Sequence, residues 1–122
     1  MANVDGSNLY KVPATGRMTT ANVISTCKSA GMDAACYHSD YTDSKCTLVK
    51  SGHWTWNIFD QMARVICIGQ DYRKCKPLEN VFVYMNKQYE WGEGGAESIG
   101  IVDEKSYEWG SKHVDKFALC VS

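Results

Sequence analysis

A chain of 122 residues is one domain by length, long enough to bury a core of its own and too short for two. With 44% apolar residues, 22% charged residues and two prolines it reads as a folded globular chain, which excludes collagenous, low-complexity and wholly disordered classes. Thirteen Lys plus Arg against fourteen Asp plus Glu leave a formal charge of −1; a nucleic-acid partner is not expected, because such a domain carries a net basic footprint.

In chain order, a short strand is expected around Leu9 to Val12, followed by a helix from about Thr19 to Ala30. Thr19 or Thr20 can cap its N-terminus, Met18 can staple against Val23, and Gly31 stands where a left-handed residue ends a helix. At about 100° per residue Val23, Ile24, Cys27 and Ala30 form one apolar stripe, so Cys27 faces the core. CYHSDYTDSKC is a polar, turn-rich loop, and a short strand is expected from Thr47 to Val49. WTWNIFDQMARVICIG reads as a second helix, with Thr55 or Asn57 as cap and Gly69 as terminator. Its stripe is Ile58, Met62, Val65 and Ile66, and Cys67 projects about 180° from Ile58. NVFVYM, residues 80–85, and the closing run KFALCV are the clearest strands, with a further short one from Ser98 to Val102. No run of 18 apolar residues is present, so no transmembrane segment is expected. No secretory leader is recognisable, and Met1-Ala2 reads as a start placed ahead of a mature chain.

The six cysteines are Cys27, Cys36, Cys46, Cys67, Cys75 and Cys120. None of the gaps is a CxxC-type knuckle of the kind that aims two sulfurs at one zinc ion, and His38, His53 and His113 stand alone. A catalytic cysteine would leave five others unexplained. Three disulfides in an oxidising compartment account for all six, and helix faces narrow the fifteen connectivities. Cys67 leaves its stripe and finds Cys75 through a polar turn; Cys36 and Cys46 close the loop between them; the inward Cys27 is left for Cys120 in the apolar closing run. On a chain-entropy estimate the long bridge removes about 4–5 kcal/mol of unfolded-state freedom and each short one roughly 2.5–3.

From Glu90 to Trp109 the chain carries Glu90, Glu93, Glu97, Asp103, Glu104 and Glu108 against Lys105 alone. Carboxylates gathered on loops can hold Ca²⁺, which needs several oxygen ligands and tolerates irregular geometry. Tyr89, Trp91, Tyr107 and Trp109 beside them can stack on a sugar ring. The same residues also fit solvated charge and half-buried packing. The glycines of Trp91-Gly92-Glu93-Gly94-Gly95 mark a turning loop, not a nucleotide fingerprint. Arg73-Lys74-Cys75-Lys76 is a short basic cluster that fits either an anionic partner or a solvated turn. No GxSxG, HExxH or phosphate-loop pattern occurs, and a disulfide-held domain this small is more often a binder, inhibitor or toxin than an enzyme.

The order of features resembles a C-type lectin-like domain. YKVPATGRMTTANVISTCKSAGM looks like that family's first strand and first helix with Cys27, NIFDQMARVI like its second helix, NVFVYM like its central strand, and KFALCV like its closing strand with Cys120. The resemblance implies two helices on a sheet and ligand binding by long loops. The family's calcium tripeptides Glu-Pro-Asn, Gln-Pro-Asp and Trp-Asn-Asp are absent here, and its second bridge has no counterpart.

The expectation is a single extracellular α+β domain over residues 1–122, with two helices packed on a small, mainly antiparallel sheet and bridges 27–120, 36–46 and 67–75. As a secreted or ectodomain recognition module it would bind a glycan or an extracellular protein through loops 87–112, with Trp91, Glu93, Glu97, Asp103, Glu104 and Trp109 as ligand-binding residues and no catalytic role. The competing expectation is a small secreted effector, a toxin or enzyme inhibitor stabilised by its disulfides.

Overall fold

A computed structural model describes residues 2–4, 7–36, 45–48, 63–64, 66–68, 72–85, 94–105 and 108–122 of the chain. Through them run β1 (Ala2–Val4), β2 (Ser7–Pro13), α1 (Thr20–Ser29), β3 (Asp33–Cys36), β4 (Cys46–Leu48), β5 (Val81–Val83), β6 (Glu97–Ser98) and β7 (Phe117–Val121). Short 3-10 turns occupy Tyr72–Lys74, Lys76–Leu78 and Gly110–Lys112.

The ends of α1 follow from local chemistry. Thr19 Oγ1 accepts from the Asn22 amide at 3.1 Å, satisfying one of the donors that a helix start leaves open. Met18 and Val23, one on each side of the cap, are both fully buried in the same cluster, as a hydrophobic staple requires. At the other end Gly31 takes φ 76°, its N–H donates to the Lys28 carbonyl at 3.0 Å, and the Met32 N–H donates to the Cys27 carbonyl at 2.9 Å. These two bonds are the Schellman closure. Val23 and Cys27 face inward as the stripe requires, whereas Ala30 is exposed because it is already the capping residue, where the helical direction ends.

β7 is the strand on which the sheet is assembled. Its five residues pair antiparallel with Leu9 to Pro13 of β2. Its other edge is divided, Phe117 and Ala118 pairing parallel with β5, and Cys120 and Val121 antiparallel with β3. Alternation along β7 then sends Leu119 and Val121 into one apolar cluster with Leu9, Leu78, Val81, Val83 and Ile99. Ala118 and Cys120 enter the opposite cluster with Met18, Val23, Cys27 and Phe82 beneath α1. The three bridges are Cys27–Cys120, Cys36–Cys46 and Cys67–Cys75, as expected from the helix faces and the polar loop, and no cysteine is free.

Two parts of the expected architecture are corrected. Among the described residues there is one α-helix, not two. Residues 55–62 of the expected second helix lie outside the described residues, and what is described of its end is a single helical turn, closed by the Cys67 N–H on the Ala63 carbonyl at 2.7 Å. Ile68 beyond it has φ 46°, which departs from the helical direction, and the expected stripe residue Val65 and terminator Gly69 lie outside the described residues. The sheet is also larger and more mixed than expected, with seven strands among the described residues and parallel pairing in β3–β4 and β5–β7. The polar loop closed by Cys36 and Cys46 is therefore a crossover between parallel neighbours. The strand expected from Ser98 to Val102 is likewise reduced to Glu97–Ser98, and Val102 re-enters pairing only through a bridge to Lys105.

Candidate functional site

The acidic and aromatic stretch is the long crossover between the parallel neighbours β5 and β7. Trp91 and Glu93, with Tyr89, Glu90 and Tyr107, lie outside the described residues. Where description resumes, the chain is tied closely to the start of α1. The Thr20 N–H donates to the Gly94 carbonyl at 2.9 Å, the Ala96 N–H to Met18 at 3.0 Å, and the Gly110 N–H to Ala96 at 2.8 Å. Gly110 is required here because a methyl group on its Cα would overlap the Met18 carbonyl oxygen. Thr20, which the sequence offered only as a cap, closes the same region: its hydroxyl donates to the Met85 carbonyl at 3.0 Å and accepts from the Met85 N–H at 3.2 Å.

The described candidate residues do not converge on one surface. Glu97 lies in β6 and is 7% exposed, and it is bridged to Trp109 in the facing strand-like segment. Trp109 is half-buried and packs on the cluster that holds Leu78 and Ile99. Beside them Ser98 and Glu108 bond reciprocally, the Ser98 N–H donating to the Glu108 carbonyl at 3.1 Å and the Glu108 N–H to Ser98 Oγ at 2.9 Å. Glu97 and Trp109 thus serve as parts of the scaffold.

Asp103 and Glu104 occupy the tip of a tight hairpin. Val102 and Lys105 exchange both backbone hydrogen bonds at 2.9 Å, and the two residues between them have φ 49° and 70°. Left-handed backbone at both central positions is the type I′ pattern, which matches the twist of paired strands. Asp tolerates this conformation; Glu, with no short polar side chain to compensate, is disfavoured in it. Asp103 Oδ1 accepts from Lys116 Nζ at 2.8 Å, and Oδ2 lies 3.5 Å from His113 Nδ1. The hydrogen bond from Lys116 holds the Asp103 carboxyl below its ordinary value against a smaller opposing effect of burial, and the charges of Lys116 and His113 act in the same direction.

His113 is the centre of this group. Its side chain is 12% exposed, with Nε2 3.7 Å from Glu108 Oε1 and its ring 6.0 Å from that of Phe82. Lys105 Nζ reaches the same Glu108 oxygen at 3.2 Å. Both ring nitrogens of His113 are turned toward carboxylates on opposite sides, so neither is directed at an incoming substrate as a general base would be. The same opposition prevents Asp103, His113 and Glu108 from sharing an ion, and no group of three or more His, Cys, Asp or Glu among the described residues is placed to hold a metal. His113 and Lys116 were missed as partners because a solitary histidine and a lysine carry no motif. The available signal was the change of charge sign from the acidic run into Lys112, His113 and Lys116.

No helix among the described residues is long and apolar enough to cross a membrane. Comparison with protein-family models, with curated protein sequences and with solved structures finds no match for the chain.

Proposed function

We propose that the chain is a small secreted effector of the toxin or enzyme-inhibitor class, which acts by binding a target rather than by turning over a substrate. The observation that carries this reading is the complete use of the six cysteines in three bridges, one across the sheet–helix interface and two closing polar loops. Proteases cut segments that unfold locally, and cross-links in those segments raise the free energy of such openings. A domain acting among proteases gains function from that resistance. The acidic stretch supports the same reading, since Glu97, Asp103, Glu108 and Trp109 are engaged within the fold instead of being held ready for calcium or sugar.

Binding of a glycan or an extracellular protein through loops 87–112 is the second reading. It is favoured by Glu104, which is exposed at the hairpin tip. The native protein is assayed against a panel of secreted serine, cysteine and metalloproteases and against cation-channel currents in cells. Saturable inhibition that disappears on reduction and alkylation is expected. Absence of inhibition across the panel, together with glycan-array binding that falls on Trp91→Ala or Glu104→Gln, would replace the effector reading with the second.

A further inference from the structure

Beside the acidic crossover, which contributes Ile101, lies a surface of opposite charge. Two shallow recesses of about 510 and 260 Å³ meet at Lys76. Tyr10 and Lys11 of β2 line the larger together with Lys76 and Pro77; Arg73, Lys74, Cys75, Glu79 and Ile101 complete the smaller. The sequence places Arg73, Lys74 and Lys76 together, and the fold adds Lys11 from a strand more than sixty residues earlier. Among the described lining residues, Lys11, Arg73, Lys74 and Lys76 stand beside Glu79, which makes this a basic recess on a chain whose formal charge is −1.

The construction of the recess bears on what it holds. The Cys67–Cys75 bridge and the two adjoining 3-10 turns fix the backbone that carries the basic residues. The Lys11 ammonium lies 5.2 Å from the centroid of the Phe117 ring, which steadies the cation without neutralising it. Recesses lined by one sign of charge focus the field and concentrate counter-ions. Pro77 supplies apolar surface beside the lysines.

We infer that this recess binds a sulfated polysaccharide. Charge complementarity requires a polyanion, three disulfides fit an oxidising compartment where polyanions are sulfated glycans, and the proline wall suits the apolar face of a sugar ring between sulfate groups. A membrane surface is the competing polyanion, and Ile68, 89% exposed near the bridge, is the side chain that would enter it. A recess suits a polymer chain, whereas a flat bilayer meets protruding surface. A polyanion-binding recess serves an effector or a recognition module equally, by concentrating it on extracellular matrix, and so rests on neither reading of the acidic stretch.

The experiment measures binding of the native protein to heparin, to the same heparin after chemical desulfation, and to phosphatidylserine vesicles. Two charge-matched double variants are compared, Lys11→Gln with Lys76→Gln in the recess and Lys28→Gln with Lys112→Gln on exposed sites outside it. The recess variant should lose about tenfold in heparin affinity near physiological salt and show a shallower salt dependence, by slightly under one unit of slope for each lysine–sulfate pair removed. The outside variant should bind as the parent does, and Lys11→Arg with Lys76→Arg should restore binding. These side chains are exposed, so near-ultraviolet dichroism and the unreduced mass are expected to match the parent. Equal losses in both Gln variants, unchanged binding to desulfated heparin, or binding confined to vesicles and dependent on Ile68 would each overturn the assignment.

Discussion

Lys116 Nζ lies 2.8 Å from Asp103 Oδ1, so the residue just before β7 is hydrogen-bonded to a hairpin tip thirteen positions earlier. The consequence is pH dependence. A carboxyl held below its ordinary value of 3.8 by Lys116 stabilises the native state once the unfolded chain would also be ionised, and this contribution fades as the pH falls through the lowered folded value. Asp103→Asn keeps a side chain that tolerates left-handed backbone and removes the charge. In urea titrations the variant should unfold at lower denaturant than the parent at pH 7. The two midpoints should converge as the pH drops below 3.8, and the gap at neutral pH should narrow in 1 M salt because Asp103 is 55% exposed. A gap that persists undiminished at pH 2 would assign the loss to something other than this ion pair.

Glu104 offers a change in the opposite direction. Its φ of 70° is costly for a residue with a β-carbon, and the second central position of a type I′ turn favours glycine. Glu104→Gly should raise stability by about 0.5–1 kcal/mol after the extra freedom of glycine in the unfolded chain is counted, and Glu104→Val should lower it by more than about 1 kcal/mol. Both are read from urea midpoints at constant slope. If the exposed Glu104 carboxylate also meets a ligand, the glycine variant will be more stable and bind less well, a combination that strain relief alone does not produce.

What could be read from the sequence was what depends on neighbours along the chain. The limits of α1 were legible because Thr19, Met18 and Gly31 act within one turn of it. The Cys27–Cys120 pairing was legible because helical period turned one cysteine inward and an apolar run enclosed the other. Strand direction was not, since VFV and FALCV have the same character whether they run parallel or antiparallel, and only the path of the crossover decides. The surroundings of the candidate residues were hidden for a related reason. Asp103 looked available to a ligand because its partners, His113 and Lys116, reach it only through that path, and the left-handed backbone at Glu104 carries no marker in the residue type.

Thr20 is a residue whose importance depends on contacts 65 positions away, where its hydroxyl both donates to and accepts from the Met85 backbone. Thr20→Val preserves shape and β-branching but leaves a buried amide and carbonyl without this partner. The expected cost is about 1–3 kcal/mol, the worth of two buried hydrogen bonds, with Thr20→Ser recovering most of it. Because Met85 leads into the crossover, amide hydrogen exchange at Met85 should speed up more in the valine variant than exchange at Cys120. Equal acceleration at both would mean a global loss, with no local clamp at Thr20.

The bridges should open in an order set by access. Cys27 and Cys120 are both fully buried between α1 and the central strand, whereas Cys46 and Cys67 are each half-buried. Thiolate attack needs a sulfur that the reductant can reach without unfolding the domain. Limited dithiothreitol under native conditions, followed by alkylation and peptide mapping, should therefore label Cys36–Cys46 and Cys67–Cys75 before Cys27–Cys120. Stability should rank in the same sense. Replacing both members of a pair by alanine removes loop-closure entropy that grows with separation, about 4.7 kcal/mol for the 93-residue span against about 2.5–2.7 kcal/mol for spans of 8 and 10. The Cys27→Ala/Cys120→Ala chain also loses the buried link between helix and sheet, so it should have the lowest urea midpoint of the three. If a short-bridge variant proved the least stable, the stability of this fold would lie in its loops and not in the attachment of α1 to β7.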